Sequence, residues 1–575
     1  MKMKKLLLLM TLSWAFLSGN CQTEPAKKEH LKWWKDSRFG MFIHWGPVSR
    51  FGGEISWSRN DYGKARYDSL YKGFNPEKFN PEEWVALAQK SGMKYMVFTA
   101  KHHDGFCMWN TKTTSYNIMK TLFGRDVCKE LAEAAHRANM PVCWYFSPAD
   151  WKDPDCRNPK TNDIFEKRVL EQLRELLTNY GKISLLWIDY EGSPCPCNPK
   201  DIYELARKLQ PEIIINNRLE AFHPDESHAR LGQYADYATP EGFVAGYGAI
   251  PWETCTNLGH QWAWKPGDTP RPIDEAATTL LRCIGGNGNL LLNVGPDSLG
   301  RIPADFQERL IELGNWIKPR EQSIYKTNGG PYTPTTDYTC TFNQNTLYLE
   351  IMKMQGDTLT LPPLPAEIRK ATLIDGSKIS FQQSDKSLKL IIPQTKREKI
   401  ATLVTIETKK QLDQISLIRP FSTTGSLAYN EKASASSSVG QFLHDATAAF
   451  DDNPNTYWKP GRNENVNFNS YYGKWLDCWG EEIKSLYCNN GWLEIDLGKA
   501  QKVSRIYASE YVSQNSKIKA FEIQAEQNGK WVTIASGTNM GEWNQSITPV
   551  ISAKFRLVLK ERNGFSGIRE FQLFE

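Results

Sequence analysis

Between residues 39 and 316, short apolar runs alternate with stretches of helical periodicity. Few folds accommodate that alternation over such a length. Phe39 to Ile43, Tyr95 to Thr99, Pro141 to Phe146, Ile183 to Ile188, Glu212 to Asn216 and Asn289 to Val294 have strand length and composition. Helices are predicted from Asn80 onward and over Asp126 to Ala138, Asp163 to Tyr180, Pro199 to Leu209, Glu275 to Cys283 and Pro303 to Trp316. The first is signalled most fully: Asn80 suits the N-cap, Pro81 the first turn, Glu83 the third position, and Gly92 the stop. Strands and helices in alternation imply βαβ units and a parallel sheet. Their number and span fit a (β/α)8-like barrel, an α/β fold. No Gly-rich nucleotide loop follows the first strand, which weighs against a Rossmann reading.

In such a barrel the C-terminal strand ends carry the chemistry. Leu185-Leu186-Trp187-Ile188 ends abruptly in Asp189, then Tyr190-Glu191-Gly192. Burying an unpaired charge costs several kcal/mol, so a carboxylate at this tip reads as a working group. The plainer alternative is a turn or cap residue. His44, His102, His103 and Arg218 follow other strands and belong on the same face. Adjacent residues of an extended chain point to opposite sides, so His102 and His103 read as structural more readily than as a ligand pair. The 20 Trp and 23 Tyr supply core and surfaces on which sugar rings stack. Glycoside hydrolysis fits this inventory, and it needs a second carboxylate. Glu241, in a turn shaped by Pro240 and Gly242, and Glu253, in Pro251-Trp252-Glu253-Thr254, are the candidates, with Glu191 third. No metal is expected: a His44, His102, Asp104 site is weighed and not adopted, and Cys195-Pro196-Cys197 lacks a partner pair at zinc spacing.

After Pro319 the texture changes. Short alternating runs over residues 325 to 407 predict a small antiparallel β-sandwich, residues 408 to 428 a polar linker, and residues 429 to 575 a third, all-β domain. The net charge of +5 carries no basic cluster, which sets nucleic acid aside. Residues 1 to 21 read as a signal peptide, a lysine-rich start followed by a short apolar run. Leu17-Ser18-Gly19-Asn20-Cys21 resembles a bacterial lipoprotein box with Cys21 as a lipid anchor, although Asn20 departs from the usual small residue, so ordinary cleavage stands beside it. Either way the mature protein is expected to be exported, periplasmic or at the cell surface. Export permits disulfides, and Cys478 with Cys488 is the favoured pair. Cys107, Cys128, Cys143 and Cys283 read as buried thiols. Nothing here speaks to oligomeric state.

Three motifs together resemble glycoside hydrolase family 29, the α-L-fucosidases. They are Trp33 to Gly46 (WWKDSRFGMFIHWG), Ala100 to Phe106 (AKHHDGF) and Gly285 to Pro296 (GGNGNLLLNVGP). The resemblance implies a retaining exo-hydrolase that removes terminal α-L-fucose from fucosylated glycans through a covalent fucosyl-enzyme, with no cofactor for catalysis. It puts Asp189 at the nucleophile, with Tyr190-Glu191 departing from the family's more usual glycine. It puts Arg218, in Asn216-Asn217-Arg218, beside the nucleophile. It favours Glu241 as acid/base with Glu253 in reserve, and assigns fucose binding to His44, Trp57, His102, His103, Tyr145 and Trp262. Tyr145 rather than Phe146 depends on strand register. An apolar wall is expected to raise Glu241's pKa, and the carboxyl groups to stand roughly 5 Å apart. The Thr239-Pro240-Glu241 loop and the appended module point to α-1,3/1,4 linkages. A broader enzyme that includes α-1,2 linkages, and a barrel without activity that only binds carbohydrate, are the alternatives. Ala446 to Asn453, Thr456-Tyr457-Trp458, Trp492 to Gly498 and Ile568 to Phe571 resemble the discoidin, or F5/8 type C, fold, used as a family 32 carbohydrate-binding module. A structural calcium is common in that fold, with ligands unassigned here. The insert Lys459 to Gly491 either forms or blocks a ligand surface, and a spacer role is the alternative.

Overall fold

The structure is a computed structural model that describes residues 29–156, 158, 160–189, 197–220, 231–242, 246–440, 444–461, 491–512, 515–564 and 566–575. Seven strands form one wholly parallel sheet: β1 (Phe39–Ile43), β2 (Met96–Lys101), β3 (Val142–Phe146), β4 (Leu185–Ile188), β5 (Ile214–Ile215), β6 (Glu253–Asn257) and β7 (Asn289–Val294). Their order is β5-β4-β3-β2-β1-β7-β6. The gap between β5 and β6 is spanned by the chain around residues 237–241. Parallel bridges join Asn216 to Tyr237, Ala238 to Trp252 and Glu241 to Cys255. That segment takes the eighth position of the barrel without being a regular strand, because Pro240 has no N–H to give to a ladder.

Side chains alternate as a parallel barrel requires. Phe42, Val97, Tyr145, Trp187, Ile214, Tyr237, Cys255 and Leu291 share one inner cluster. Ile43, Phe98, Phe146, Ile188 and Leu292 pack in a second, with residues of the surrounding helices. These helices are α1 (Pro81–Lys90), α2 (Val127–Arg137), α3 (Asn162–Thr178), α4 (Pro199–Leu209), α5 (Ile273–Gly285) and α6 (Ala304–Ile317). α1 starts as the capping signals predict. Asn80 accepts from the Glu82 and Glu83 amides, and its own amide donates to Glu83.

Two strands differ from expectation. β5 is only two residues long, because the Asn216 side chain leaves the ladder to bond the Ile188 N–H and C=O across the sheet. β6 was not foreseen: Glu-Thr-Cys-Thr-Asn lacks an apolar run, yet Glu253, Thr254 and Cys255 are fully buried.

A five-stranded sheet and a three-stranded sheet follow. The first includes Tyr338–Asn343, Thr346–Ile351, Ile368–Leu373 and Thr402–Thr408, and the second Thr358–Leu361, Ser380–Gln383 and Leu388–Ile391. Part of the expected linker packs here: Leu412 is buried in this core and Ile418 bridges Tyr332. A last antiparallel sheet contains the long strands Trp492–Tyr511 and Glu542–Arg562 and the final strand Gly567–Phe574. Among the described residues Cys107, Cys128, Cys143, Cys156, Cys197, Cys255, Cys283 and Cys340 are buried free thiols. Cys21, Cys195, Cys478 and Cys488, the signal segment, and Tyr190 and Glu191 lie outside the described residues. No described helix is long and apolar enough to cross a membrane.

Candidate active site

At the C-terminal end of the barrel Asp189 leaves β4 with its amide bonded to the Phe146 carbonyl. Its carboxylate accepts from Tyr145 Oη at 2.6 Å and from Arg218 Nη1 at 2.9 Å, and His103 Nε2 stands 3.6 Å away. Burial opposes its ionisation, but Arg218, His103 and Tyr145 outweigh burial and hold it below the usual carboxylate range. Asp189 is therefore an anion at neutral pH. Tyr145 faces inward and Phe146 outward, which decides the register between them.

Arg218 sits in the short 3-10 turn Asn217–Leu219 that follows β5. Nη1 bonds Asp189 while Nη2 bonds Glu241 Oε2, also at 2.9 Å. One guanidinium thus holds both carboxylates. Burial works against its charge, but Asp189 and Glu241 overcome that and raise its pKa further. The guanidinium also lies 4.7 Å from the centre of the Trp187 ring, on the inner side of β4. Glu241 keeps 41% of its side chain exposed, so it faces the opening of the barrel. Among the described residues its ion-pair partner is Arg218.

The sequence placed three histidines here, and all three converge. The His44 ring lies 5.3 Å from Tyr145 and 5.7 Å from His102, and the His102 ring 4.2 Å from His103. The expectation that His102 and His103 point apart is corrected. The chain has left the extended strand there and turns, with the Gly105 amide bonded to the His102 carbonyl. Burial pushes the pKa of His44 and of His103 down to about 4, and that of His102 down as well, so all three are neutral near pH 7. Trp262 tilts over His44 at 4.9 Å, and Trp57, 48% exposed, meets the edge of His103 at 5.9 Å.

Glu253 does not join them. It starts β6 at the opposite, N-terminal end of the barrel interior, fully buried, and accepts from Trp34 Nε1 and Tyr95 Oη. It is corrected from reserve acid/base to a floor residue: β6 faces it inward, but at the wrong height. Burial pushes its pKa up to about 7.

Several contributors were missed. Ser56, buried at φ 60°, bonds His102 Nδ1 at 2.6 Å. Glu54 accepts from the Trp262 and Ala263 amides and so holds the Trp262 loop. Ser147 bonds His103 Nδ1, Asn293 bonds His44 Nδ1, and Trp151 stacks on His103. Asn293 lies inside a motif that the sequence singled out, and Glu54 and Ser56 shortly precede Trp57, but nothing in spacing distinguishes a group that holds a histidine from its neighbours. His102, His103 and Asp189 bring ligand-type atoms within 4.8 Å of one another. The Arg218 cation already occupies the charge partnership of Asp189 that a metal ion would need.

A family model described as alpha-L-fucosidase matches residues 18–322, more than half of the chain. The chain belongs to the alpha-L-fucosidase family. It is thus a glycoside hydrolase, and its barrel carries the family match. An F5/8 type C domain model matches residues 432–571. The alpha-L-fucosidase of Dictyostelium discoideum is 25% identical over 388 residues, covering 60% of this chain and 82% of that relative. The plasma alpha-L-fucosidase of Rattus norvegicus is 29% identical over 362 residues, covering 56% and 77%. Among solved structures, alpha-L-fucosidase isoenzyme 1 from Paenibacillus thiaminolyticus superposes with a TM-score of 0.60 at 29% identity, covering 67% of this chain and all of that one. A Bacteroides thetaiotaomicron alpha-L-fucosidase, trapped as a covalent intermediate, has the same fold at 23% identity, with a TM-score of 0.60 over 68% of this chain and 97% of that one.

The third domain gathers three carboxylates. Asp451, Asp452 and Glu570 lie together, with the Gln572 amide reaching both Asp452 and Glu570. Burial first, and the neighbouring carboxylates after it, push Glu570 up to about 9. Burial pushes Asp451 up to about 7, and Glu570 Oε1 is buried without a hydrogen-bond partner among the described residues. A cation there would relieve both penalties.

Proposed function

We propose that this alpha-L-fucosidase works by retention, with Asp189 as nucleophile and Glu241 as acid/base, on terminal α-1,3/1,4-linked fucose. The observation that carries the reading is the single Arg218 guanidinium bonded to both carboxylates, ringed by three neutral histidines. In the first step Asp189 attacks the anomeric carbon while Glu241, which must enter the step in its protonated form, gives that proton to the departing glycosidic oxygen, leaving a fucosyl ester on Asp189. In the second, Glu241 takes a proton from water, whose oxygen attacks the same carbon and returns Asp189 as a carboxylate. The covalent intermediate trapped in the Bacteroides relative supports this order of events. The histidines supply donors and acceptors to the ring hydroxyls, and Trp57 and Trp262 cover its apolar side. The linkage reading rests on the Thr239-Pro240-Glu241 loop and the appended module. Export, with Cys21 as a lipid anchor, rests on residues 1 to 21. In the third domain Asp451 and Glu570 would hold a calcium ion whose part is structural.

The test is fucose release from an aryl α-L-fucoside and from α-1,2- and α-1,3/1,4-fucosylated oligosaccharides, with the first-formed anomer followed by NMR. The α anomer and preference for the branched substrates are expected. Asp189→Ala should lose at least about 10³-fold in kcat, and Glu241→Ala about 10²–10⁴-fold, less on substrates with an activated leaving group. First-formed β-fucose would sink the retaining assignment. Full activity of Glu241→Ala would sink the acid/base, and no fucose release from any substrate would leave a binding protein.

A further inference from the structure

The late barrel strand β7 enters the motif Gly285 to Pro296 without a role in the chemistry above, yet it buries one amide at the edge of the site. Asn293 is 1% exposed, and on the β6 side it pairs with Asn257. Its Nδ2 donates to the Trp262 carbonyl at 2.7 Å and to Asn257 Oδ1 at 2.9 Å, and its Oδ1 lies 2.8 Å from His44 Nδ1. The Trp262 carbonyl can only accept, so the atom facing it must be the NH2 group of the amide. That orientation leaves Oδ1, which can only accept, facing His44. A neutral imidazole carries one hydrogen, and here it must sit on Nδ1.

We propose that Asn293 is a positioning residue that holds His44 in its Nδ1–H form, so that Nε2 meets the substrate as a hydrogen-bond acceptor. The consequence is a definite polarity of recognition: a sugar hydroxyl donates to His44 and does not receive from it. This deepens the reading of His44 as a fucose-binding group and rests on it. Burial supports the neutral form, since Asp189 pulls His44 toward protonation less strongly than burial opposes it. The same amide ties the Trp262 loop to β6 and β7, so the ring that covers His44 and the hydrogen that orients it share one support. A structural asparagine that only ties strands together would leave the histidine free to choose its tautomer.

The two roles separate in an experiment on the free protein. With histidine labelled with 15N, and the His44 signals assigned by their loss in His44→Gln, the long-range 1H–15N spectrum reads the tautomer without substrate. Nδ1–H is expected in the wild type and in Asn293→Asp, which keeps an acceptor at that position. Asn293→Leu should move His44 toward Nε2–H and lower kcat/KM by about tenfold or more, with part of the loss recovered in Asn293→Asp. Nε2–H in the wild type, or an unchanged His44 tautomer in a folded Asn293→Leu protein, would overturn the proposal. Because the spectrum needs no turnover, absence of fucose release would count against the proposed function alone.

Discussion

Arg218 decides the electrostatics of the site. Two carboxylates gathered at one site each disfavour the other's ionisation unless a cation lies between them. The guanidinium bonds both, and Asp189 stays ionised although it is buried. The sign for Asp189 follows: a carboxyl held below its ordinary value is ready as a nucleophile at neutral pH and is lost only as pH falls through that lowered value. Replacing Arg218 with Met should raise the acid limb of the pH profile of kcat/KM by about 1–3 units and lower its plateau by about a hundredfold or more. An unshifted acid limb would show that another group governs it. Burial pushes His44 and His103 down to about 4, so they act as acceptors or donors in their neutral form near neutral pH. The missed residues at this scale, Glu54, Ser56, Ser147 and Asn293, all bond a binding residue or the loop that carries it. Their types are common and their neighbours are distant in the chain, so spacing alone could not single them out.

At the scale of elements, β6 is the instructive one. It reads as loop because its residues are polar, and it folds as a strand because the barrel offers several of them partners. Glu253 takes hydrogen bonds from Trp34 and Tyr95, and Thr254 donates to the Gly242 carbonyl. Glu253 carries a measurable cost. Its folded pKa, pushed up to about 7 by burial, lies above the ordinary value, so the unfolded chain ionises first and stability falls as pH rises from about 4.5 to 7. Glu253→Gln removes that ionisation while keeping an acceptor for Tyr95 and Trp34. The stability difference, wild type minus variant, should therefore be larger at pH 5 than at pH 7.5, as urea unfolding at the two values would measure. An equal difference at both would mean that Glu253 does not titrate in the folded barrel. The helices required no such correction. Asn80, Asp126 and Asn198 cap α1, α2 and α4 with their own side chains, which is a local matter that sequence displays directly.

At the scale of the whole molecule, the catalytic barrel is followed by two further β regions, and the last matches the F5/8 type C domain. Its carboxylates Asp451 and Glu570 are raised by burial, and Glu570 also by its acidic neighbours. Millimolar calcium should raise the midpoint of the transition that reports this domain by about 5 °C over the chelated protein, and Glu570→Gln should remove most of that gain. Calorimetry with calcium and with EGTA is the check; equal midpoints would remove calcium from the account. What the sequence determined by itself was periodicity. Alternation told strand from helix and put a carboxylate and three histidines after apolar runs, but it left the inner face of a strand undecided between Tyr145 and Phe146. Periodicity carries no information about height along the barrel axis or about which distant segments meet. Glu241 and Glu253 both lie where the chain turns inward, but only the closed barrel puts Glu241 beside Arg218 and Asp189 and sends Glu253 to the floor. That choice belongs to the tertiary structure, because parallel strands place their two ends in different surroundings, one open to substrate and the other sealed by Trp34 and Tyr95.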